Sequence, residues 1–224
     1  MTALLRYQAA LLVRSQRWLP PVILYAAFLA IGVQSGQPVL DSLGYTAAAL
    51  LPVSAWLMRI CVTNEPPAAR SCTAAAAAGP GRAHLACVLV AFSAAALLGT
   101  VATVLVTIIS APTSTDHQTR VESLPAAGAG LLAALACALL GTAVGALTNW
   151  PLLRSTGRAV PALLLGALLA LVVAGSPARI AVTALVDGSR RATVPVPVLP
   201  LIAAGLLTAA ATAVACALTT RRSA

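Results

Sequence analysis

The sequence predicts an all-α polytopic membrane protein, and three observations lead to that prediction. Hydrophobic residues make up 60% of the chain and charged residues only 8%, which is too little charge to cover a soluble domain of 224 residues. Long apolar stretches recur, and about 20 such residues suffice for one helical crossing of a bilayer. Short connections join these stretches, and the kind of charge that they carry alternates from one connection to the next. We therefore expect one membrane domain and no separate soluble domain.

Residues 1–19 predict an amphipathic helix that lies in the membrane interface. The segment is not typical of a signal peptide, because its arginines are scattered and it lacks a small-residue cleavage site. Pro20 and Pro21 are expected to end this helix and turn the chain into a transmembrane domain that comprises residues 20–224. Apolar and basic side chains separate on a helical wheel, as expected for an interfacial helix. The apolar face comprises Leu4, Tyr7, Leu11 and Trp18, and the basic face comprises Arg6, Arg14 and Arg17.

Six apolar segments of this domain are expected to cross the membrane. Asp41 and Ser42 are candidate N-caps of the second segment, and Pro52 is expected to kink it. Residues 176–197, after a fifth segment of marginal length, are too apolar for an ordinary loop and too short and charged for a clean crossing. A re-entrant or interfacial helix on the extracellular side is expected there. The six predicted spans are residues 21–33, 43–62, 84–110, 125–148, 159–174 and 199–219.

The connection between the second and third spans, residues 63–83, predicts a short helix outside the bilayer. The connection is too polar and too rich in proline to cross. Its middle, residues 68–78, contains strong helix formers. Proline at residues 66–67 and glycine at residues 79–81 are typical boundaries of a helix, with proline early and glycine late. We expect this helix to run parallel to the membrane.

The distribution of arginine predicts the orientation. When successive connections are assigned to opposite sides, most arginines fall on one side, where Glu65 is the sole acidic residue. The positive-inside rule places that side, both termini and the 63–83 connection in the cytoplasm. The arginines assigned to this side are Arg6, Arg14, Arg17, Arg59, Arg70, Arg82, Arg154, Arg158, Arg221 and Arg222.

All 14 basic residues are arginine, and the absence of lysine has a chemical consequence. A Walker A loop requires lysine on the nucleotide phosphates, so any ATP hydrolysis must be done by another polypeptide. No cofactor is expected on this chain. The formal net charge of +9 is explained by orientation and by anionic lipid. Nucleic-acid binding is not expected, because no basic cluster carries interleaved aromatic residues.

No metal or redox site is predicted. His84 and His117 are expected on opposite sides of the membrane, and the sequence contains no CxxC motif. No acidic residue lies at mid-span, which argues against a proton- or sodium-coupled carrier. Reduced, packed thiols are expected at Cys61, Cys72, Cys87, Cys137 and Cys216.

Small and hydroxyl residues within the spans are candidates for packing or for a substrate path. Gly141 and Gly145 form a GxxxG motif that allows helices to approach closely, although such a match arises readily by chance in this composition. Threonines at helical spacing in the third and sixth spans suit either hydrogen bonds between helices or a mildly polar wall of a path. These threonines are Thr100, Thr103, Thr107, Thr208 and Thr212.

The layout of the whole chain, and residues 54–86 in particular, resembles the permease subunits of type-2 ABC exporters, the ABC-2 membrane family, especially its actinobacterial members. The resemblance implies that the 63–83 connection, with Glu65, Arg70 and Arg82, is a coupling helix that docks on a separate ATP-binding subunit. It also implies that the partner holds ATP and Mg²⁺, and that a second permease, identical or paralogous, completes the complex. The expected location is the bacterial cytoplasmic membrane.

On this interpretation the exporter moves an apolar or amphipathic substrate such as a drug, a lipid or a peptide antibiotic. Two alternatives stay open: an ion-coupled secondary transporter, and a membrane scaffold or assembly subunit without transport. For Glu65 and Arg70 the alternative is that both are solvated loop charges with no coupling role.

Overall fold

A computed structural model of the protein describes residues 1–116, 118–149 and 155–223. Within these ranges the chain forms nine α-helices and no β-strand, which confirms the predicted all-α class. His117 and Arg154, whose sides of the membrane were predicted from the sequence, lie outside the described residues. The helices are α1 (Thr2–Ser15), α2 (Leu19–Gly32), α3 (Val39–Thr63), α4 (Pro67–Ala76), α5 (Pro80–Ile109), α6 (Ser123–Leu147), α7 (Thr156–Val172), α8 (Pro177–Arg191) and α9 (Val198–Ser223).

Four of these helices, α3, α5, α6 and α9, are long and apolar enough to cross a membrane. Helices α7 and α8 meet at a bend of 46° and count as a fifth crossing if they form one broken span. Helix α2 is apolar but has 14 residues, so it is about 21 Å long against a hydrocarbon core of about 30 Å. The fold is thus that of a multi-pass membrane protein, and six crossings remain a prediction.

Helix α3 lies at the centre of the fold and contacts six other helices, α1, α2, α5, α6, α7 and α8. Its large side chains Leu43, Leu50 and Leu57 are buried at every second turn of the helix, as expected for a helix surrounded by others. The helix continues through Pro52. Because other helices cover most of its length, α3 is the central helix of the domain.

The start of α3 differs from the predicted capping. The helix begins at Val39, after Pro38, and neither Asp41 nor Ser42 is its N-cap. Pro38 precedes the helix in an extended conformation, and the helix then starts four residues earlier than the apolar pattern suggests. Asp41 lies in the first turn instead, where a negative charge is favourable.

Helix α1 forms within the predicted residues 1–19 but ends at Ser15, so Pro20 and Pro21 lie in the first turn of α2 and do not end α1. A different face of α1 from the predicted one packs against the protein. Its two arginines, Arg6 and Arg14, are exposed, in agreement with the predicted basic face, and Arg17 just after the helix is exposed as well. The predicted apolar face is only partly covered, and Tyr7 is 42% exposed. The buried stripe instead includes Gln8, a polar side chain that is drawn inward by hydrogen bonding. The residues that face the protein are Leu5, Gln8, Ala9 and Leu12.

Helix α8 packs beside the first turns of α3. Ala178, Ala181 and Leu185 are buried, and Gly44 of α3 allows the close approach of the two helices. Residues 110–116 lie alongside and connect to the start of α3 through the hydrogen bond from Val39 N–H to Ala111 O. A helix is present at Pro177–Arg191, inside the predicted segment 176–197, and its re-entrant or interfacial character stays a prediction.

Candidate functional site

The candidate site is built on α4, the short helix between α3 and α5. Pro67 occupies the first turn of α4, where its missing N–H and restricted φ are tolerated. After α4 the chain turns sharply at Gly79, whose φ of 138° favours glycine, and Pro80 starts α5 directly afterwards. The short turns at both ends leave α4 little freedom to move independently of α3 and α5. The predicted helix at residues 68–78 is therefore present, shifted by one or two residues.

Glu65 lies just before α4 and is buried, with 5% of its surface exposed. Its Oε1 atom accepts a hydrogen bond from Tyr7 Oη at 3.1 Å and another from the Thr73 hydroxyl. Its Oε2 atom accepts a longer one from Gln8 Nε2 at 3.5 Å. A buried carboxylate is costly unless donors surround it, and here the donors come from both α1 and α4. Glu65 therefore joins the N-terminal helix to the loop helix and is not a solvated loop charge.

Tyr7 is suited to the role of donor. Desolvation, and secondly the nearby Glu65 carboxylate, raise the pKa of the Tyr7 phenol above its ordinary value. The phenol thus stays neutral and keeps its proton for the hydrogen bond to Glu65. A second contact supports the same junction, because Asn64 Nδ2 donates to Leu11 O at 3.0 Å near the end of α1.

Arg70 is directed back toward α3. Its Nη2 atom donates to Val62 O at 2.6 Å and to Glu65 O at 3.2 Å. Val62 belongs to the last turn of α3, where backbone carbonyls lack helical partners and attract cations. Arg70 therefore anchors α4 to the end of the central helix. Glu65 thus connects α4 to α1, and Arg70 connects α4 to the end of α3 and contacts the Glu65 backbone.

Arg82 is exposed on the first turn of α5, at the edge of an open groove of about 810 Å³. The groove lies between α1 and α4, and its lining includes Leu4 and Tyr7 from the former and Cys72 and Thr73 from the latter. We refer to it as the α1–α4 groove. Of the five cysteines, all of which lie in the described part of the chain, only Cys72 is exposed. Cys61, Cys87 and Cys137 are buried, and Cys216 is half-buried.

The threonines of the predicted path mainly bond within their own helices. Thr208 and Thr212 are buried, and each donates to the carbonyl four residues earlier at 2.7 Å. Thr100 and Thr107 do the same on α5. Thr103 is buried, and its hydroxyl has no hydrogen-bond partner among the described residues. The expected bonds between helices are not formed because a threonine hydroxyl reaches the carbonyl of its own preceding turn.

The glycines of the GxxxG motif face α3 at close range. A Cβ atom on Gly141 would overlap Ser54 Oγ and the carbonyl oxygen of Leu51. One on Gly145 would lie 2.6 Å from Ala55 O and from Met58 Cβ. Backbone contact of this kind is what small residues at four-residue spacing permit.

Two polar connections were not expected from the sequence. Arg59 Nη1 donates to Asn149 Oδ1 at 2.7 Å, and Asn149 Nδ2 donates to Gly145 O at 2.7 Å, which joins the ends of α3 and α6. At the opposite end, Thr115 Oγ1 lies 3.0 Å from Asp41 Oδ2 and 2.9 Å from Ser189 Oγ. Both connections join residues more than 70 positions apart, so no local signal could have revealed them.

A search of the described residues for metal sites, and comparisons with known proteins, do not assign a function to this chain. Among the described residues, no group of three or more His, Cys, Asp or Glu side chains is arranged to hold a metal ion. His84 is buried and its Nε2 atom has no hydrogen-bond partner within the described ranges. Comparisons with protein-family models, with curated proteins and with solved structures give no match for this chain.

Proposed function

We propose that this chain is the membrane-spanning permease subunit of an ATP-driven type-2 ABC exporter. The observation that supports the proposal is the attachment of α4, which lies outside the long apolar helices yet is fastened to three of its neighbours. Glu65 joins it to α1, Arg70 joins it to the end of α3, and the turn at Gly79 joins it to α5. A helix held in this way can receive a push from a partner and pass it on.

The transmission would be mechanical. Force on α4 would reach α3 through Arg70, and α3 is the central helix of the domain. It would reach α5 through a turn of three residues, since α4 ends at Ala76 and α5 begins at Pro80. Rigid-body movement of packed helices is a common way to alternate access to a path. In this proposal Glu65, Arg70 and Arg82 belong to the loop that couples ATP hydrolysis to transport, with Glu65 and Arg70 holding α4 in place.

The ATP chemistry would belong to a separate subunit. The chain has no lysine and so has no Walker A loop, and ATP and Mg²⁺ would be bound by the partner. A second permease, either another copy or a paralogous chain, would complete the assembly. We place the complex in a bacterial cytoplasmic membrane, with six crossings and with both termini and α4 on the cytoplasmic side, where the arginines would accumulate. Export of an apolar or amphipathic substrate suits spans of alanine, leucine and valine.

An ion-coupled transporter is the alternative, and the positions of the acidic residues disfavour it. Asp41 is in the first turn of α3, and Glu122 immediately precedes α6. Glu65 and Asp116 lie between helices, and Asp187 is on α8. None lies midway along α3, α5, α6 or α9, where a coupling carboxylate is normally found. A scaffold subunit is the other alternative, and a failure to move any substrate would favour it.

Purification in mild detergent from the native host tests the proposal. We expect a separate ATP-binding polypeptide to co-purify with the chain, and ATP hydrolysis to be required for transport by the reconstituted complex. Glu65→Gln combined with Arg70→Gln should reduce the transport obtained per ATP hydrolysed while leaving membrane insertion intact. Transport driven by a proton gradient without ATP would overturn the proposal, as would a complex that contains no ATPase.

A further inference from the structure

The α1–α4 groove has the chemical character of a lipid site. Its volume of about 810 Å³ falls within the range of about 300–1,000 Å³ that is typical of small-molecule sites. Apolar side chains line most of it, among them Leu4 of α1 and Ala76 of α4. Tyr7 lies at the rim, and tyrosine is enriched where proteins meet the headgroup layer of a membrane.

Arg82 supplies the groove with a positively charged side chain. The Arg82 guanidinium is exposed and makes no hydrogen bond or ion pair with any residue that the structure describes. Among the residues that the structure describes, no acidic side chain lines the groove. The nearby carboxylate of Glu65 is buried and already accepts hydrogen bonds from Tyr7 and Thr73. An anion would therefore find an unoccupied partner in Arg82 and no competing negative charge at the surface.

The position of Arg82 along α5 indicates where that anion would come from. Arg82 is the third residue of a helix that is long and apolar enough to cross a membrane, and the apolar run begins directly after it. Arginine at the end of a crossing lies at the level of the lipid headgroups. Basic pockets beside transmembrane helices bind anionic headgroups for this reason.

We propose that the α1–α4 groove binds an anionic phospholipid, with its phosphate on Arg82 and an acyl chain along the apolar lining that includes Leu4 and Ala76. The lipid would come from the leaflet on the arginine-rich side of the protein. An acidic protein segment has a similar charge, but a lipid is favoured because the groove adjoins the end of a crossing. The proposal holds whether or not the chain is a permease.

Cys72 provides a built-in reporter, because it lines the groove and is the one exposed thiol. The protein is placed in phosphatidylcholine nanodiscs that contain increasing amounts of phosphatidylglycerol, and the rate of Cys72 modification by an uncharged maleimide is measured. We expect phosphatidylglycerol to slow the modification. Arg82→Gln should raise the amount needed for half-maximal protection about five-fold, the effect of one arginine at an anionic surface.

Three controls complete the design. Arg158→Gln removes another exposed arginine, at the start of α7, and should leave the protection unchanged. Cys72→Ser should abolish the labelling, and inorganic phosphate added to pure phosphatidylcholine discs should not protect. The proposal is overturned if phosphatidylglycerol has no effect, if it protects Arg82→Gln as well as wild type, or if free phosphate protects equally. It is also overturned if a co-purified protein, and not lipid, blocks Cys72.

Discussion

The carboxylate of Glu65 accepts a hydrogen bond from the phenol of Tyr7 at 3.1 Å, although 58 positions separate the two residues in the chain. This contact fastens the N-terminal helix α1 to the loop that carries α4. Because Gln8 and Thr73 also donate to the same carboxylate, Glu65 has hydrogen-bond partners on two helices. The junction therefore depends on one buried acidic residue.

Removing the charge of Glu65 should loosen this junction. In Glu65→Gln, the remaining oxygen can replace Oε1 and accept from Tyr7 and Thr73, but the new amide nitrogen then faces Gln8 Nε2, so two donors meet and neither has an acceptor. Leaving a buried polar group without its partner costs about 1–3 kcal/mol. We expect a lower midpoint of thermal unfolding in detergent. Glu122→Gln, which changes an exposed glutamate, should leave the midpoint unchanged, and equal midpoints for all three proteins would contradict the role assigned to Glu65.

The raised pKa of Tyr7 predicts a pH dependence with a definite sign. A group whose pKa is higher in the folded state binds its proton more tightly there, so it stabilises the fold at pH values below its ordinary pKa of 10.0. That contribution is lost as the pH rises through the folded-state pKa. We expect the unfolding midpoint to fall above about pH 10 more steeply in wild type than in Tyr7→Phe. Parallel curves for the two proteins would show that Tyr7 does not contribute.

The contact between α3 and α6 gives a prediction with a matched control on the same helix. Gly141→Ala places a methyl group against Ser54 Oγ and the carbonyl oxygen of Leu51, and overpacking of this kind costs about 1–3 kcal/mol. Gly128→Ala adds the same methyl group where no atom lies within 4 Å. The first variant should unfold at lower temperature, and the second should be neutral or more stable because alanine favours helices. Two variants of equal stability would argue against the close approach.

The hydrogen bond between Thr115 and Ser189 predicts a specific cross-link. Thr115 Oγ1 and Ser189 Oγ are 2.9 Å apart, so cysteines at these positions should form a disulfide under mild oxidation. The matched control pairs Thr115→Cys with Ser176→Cys at the other end of α8, about 20 Å away along the helix, and should not cross-link. Peptide mass spectrometry detects the bond. If transport requires α8 to move, the cross-linked form should be inactive and reduction should restore it.

The helices could be located from the sequence because their signals are local, although several ends, such as the start of α3, differ from the predicted bound by four residues. The apolar run of residues 125–148 lies within two residues of the observed Ser123–Leu147, and proline and glycine around α4 mark its ends. Packing was predictable only in part. The exposed arginines of α1 were expected, but its buried stripe contains Gln8, which hydropathy assigns to the outside. Gln8 is inside because Glu65, distant in sequence, accepts its hydrogen bond.

The sequence by itself determined that this is an all-helical, membrane-spanning chain with a short helix between its central helix and the next, since these properties follow from composition and from neighbouring residues. Only the tertiary structure decided which polar groups are buried and joined. Glu65 with Tyr7, Arg59 with Asn149, and Thr115 with Ser189 are each brought together by helix packing. The physical reason is that burying a polar group is tolerated only where a partner is present, and that partner is supplied by a distant part of the chain.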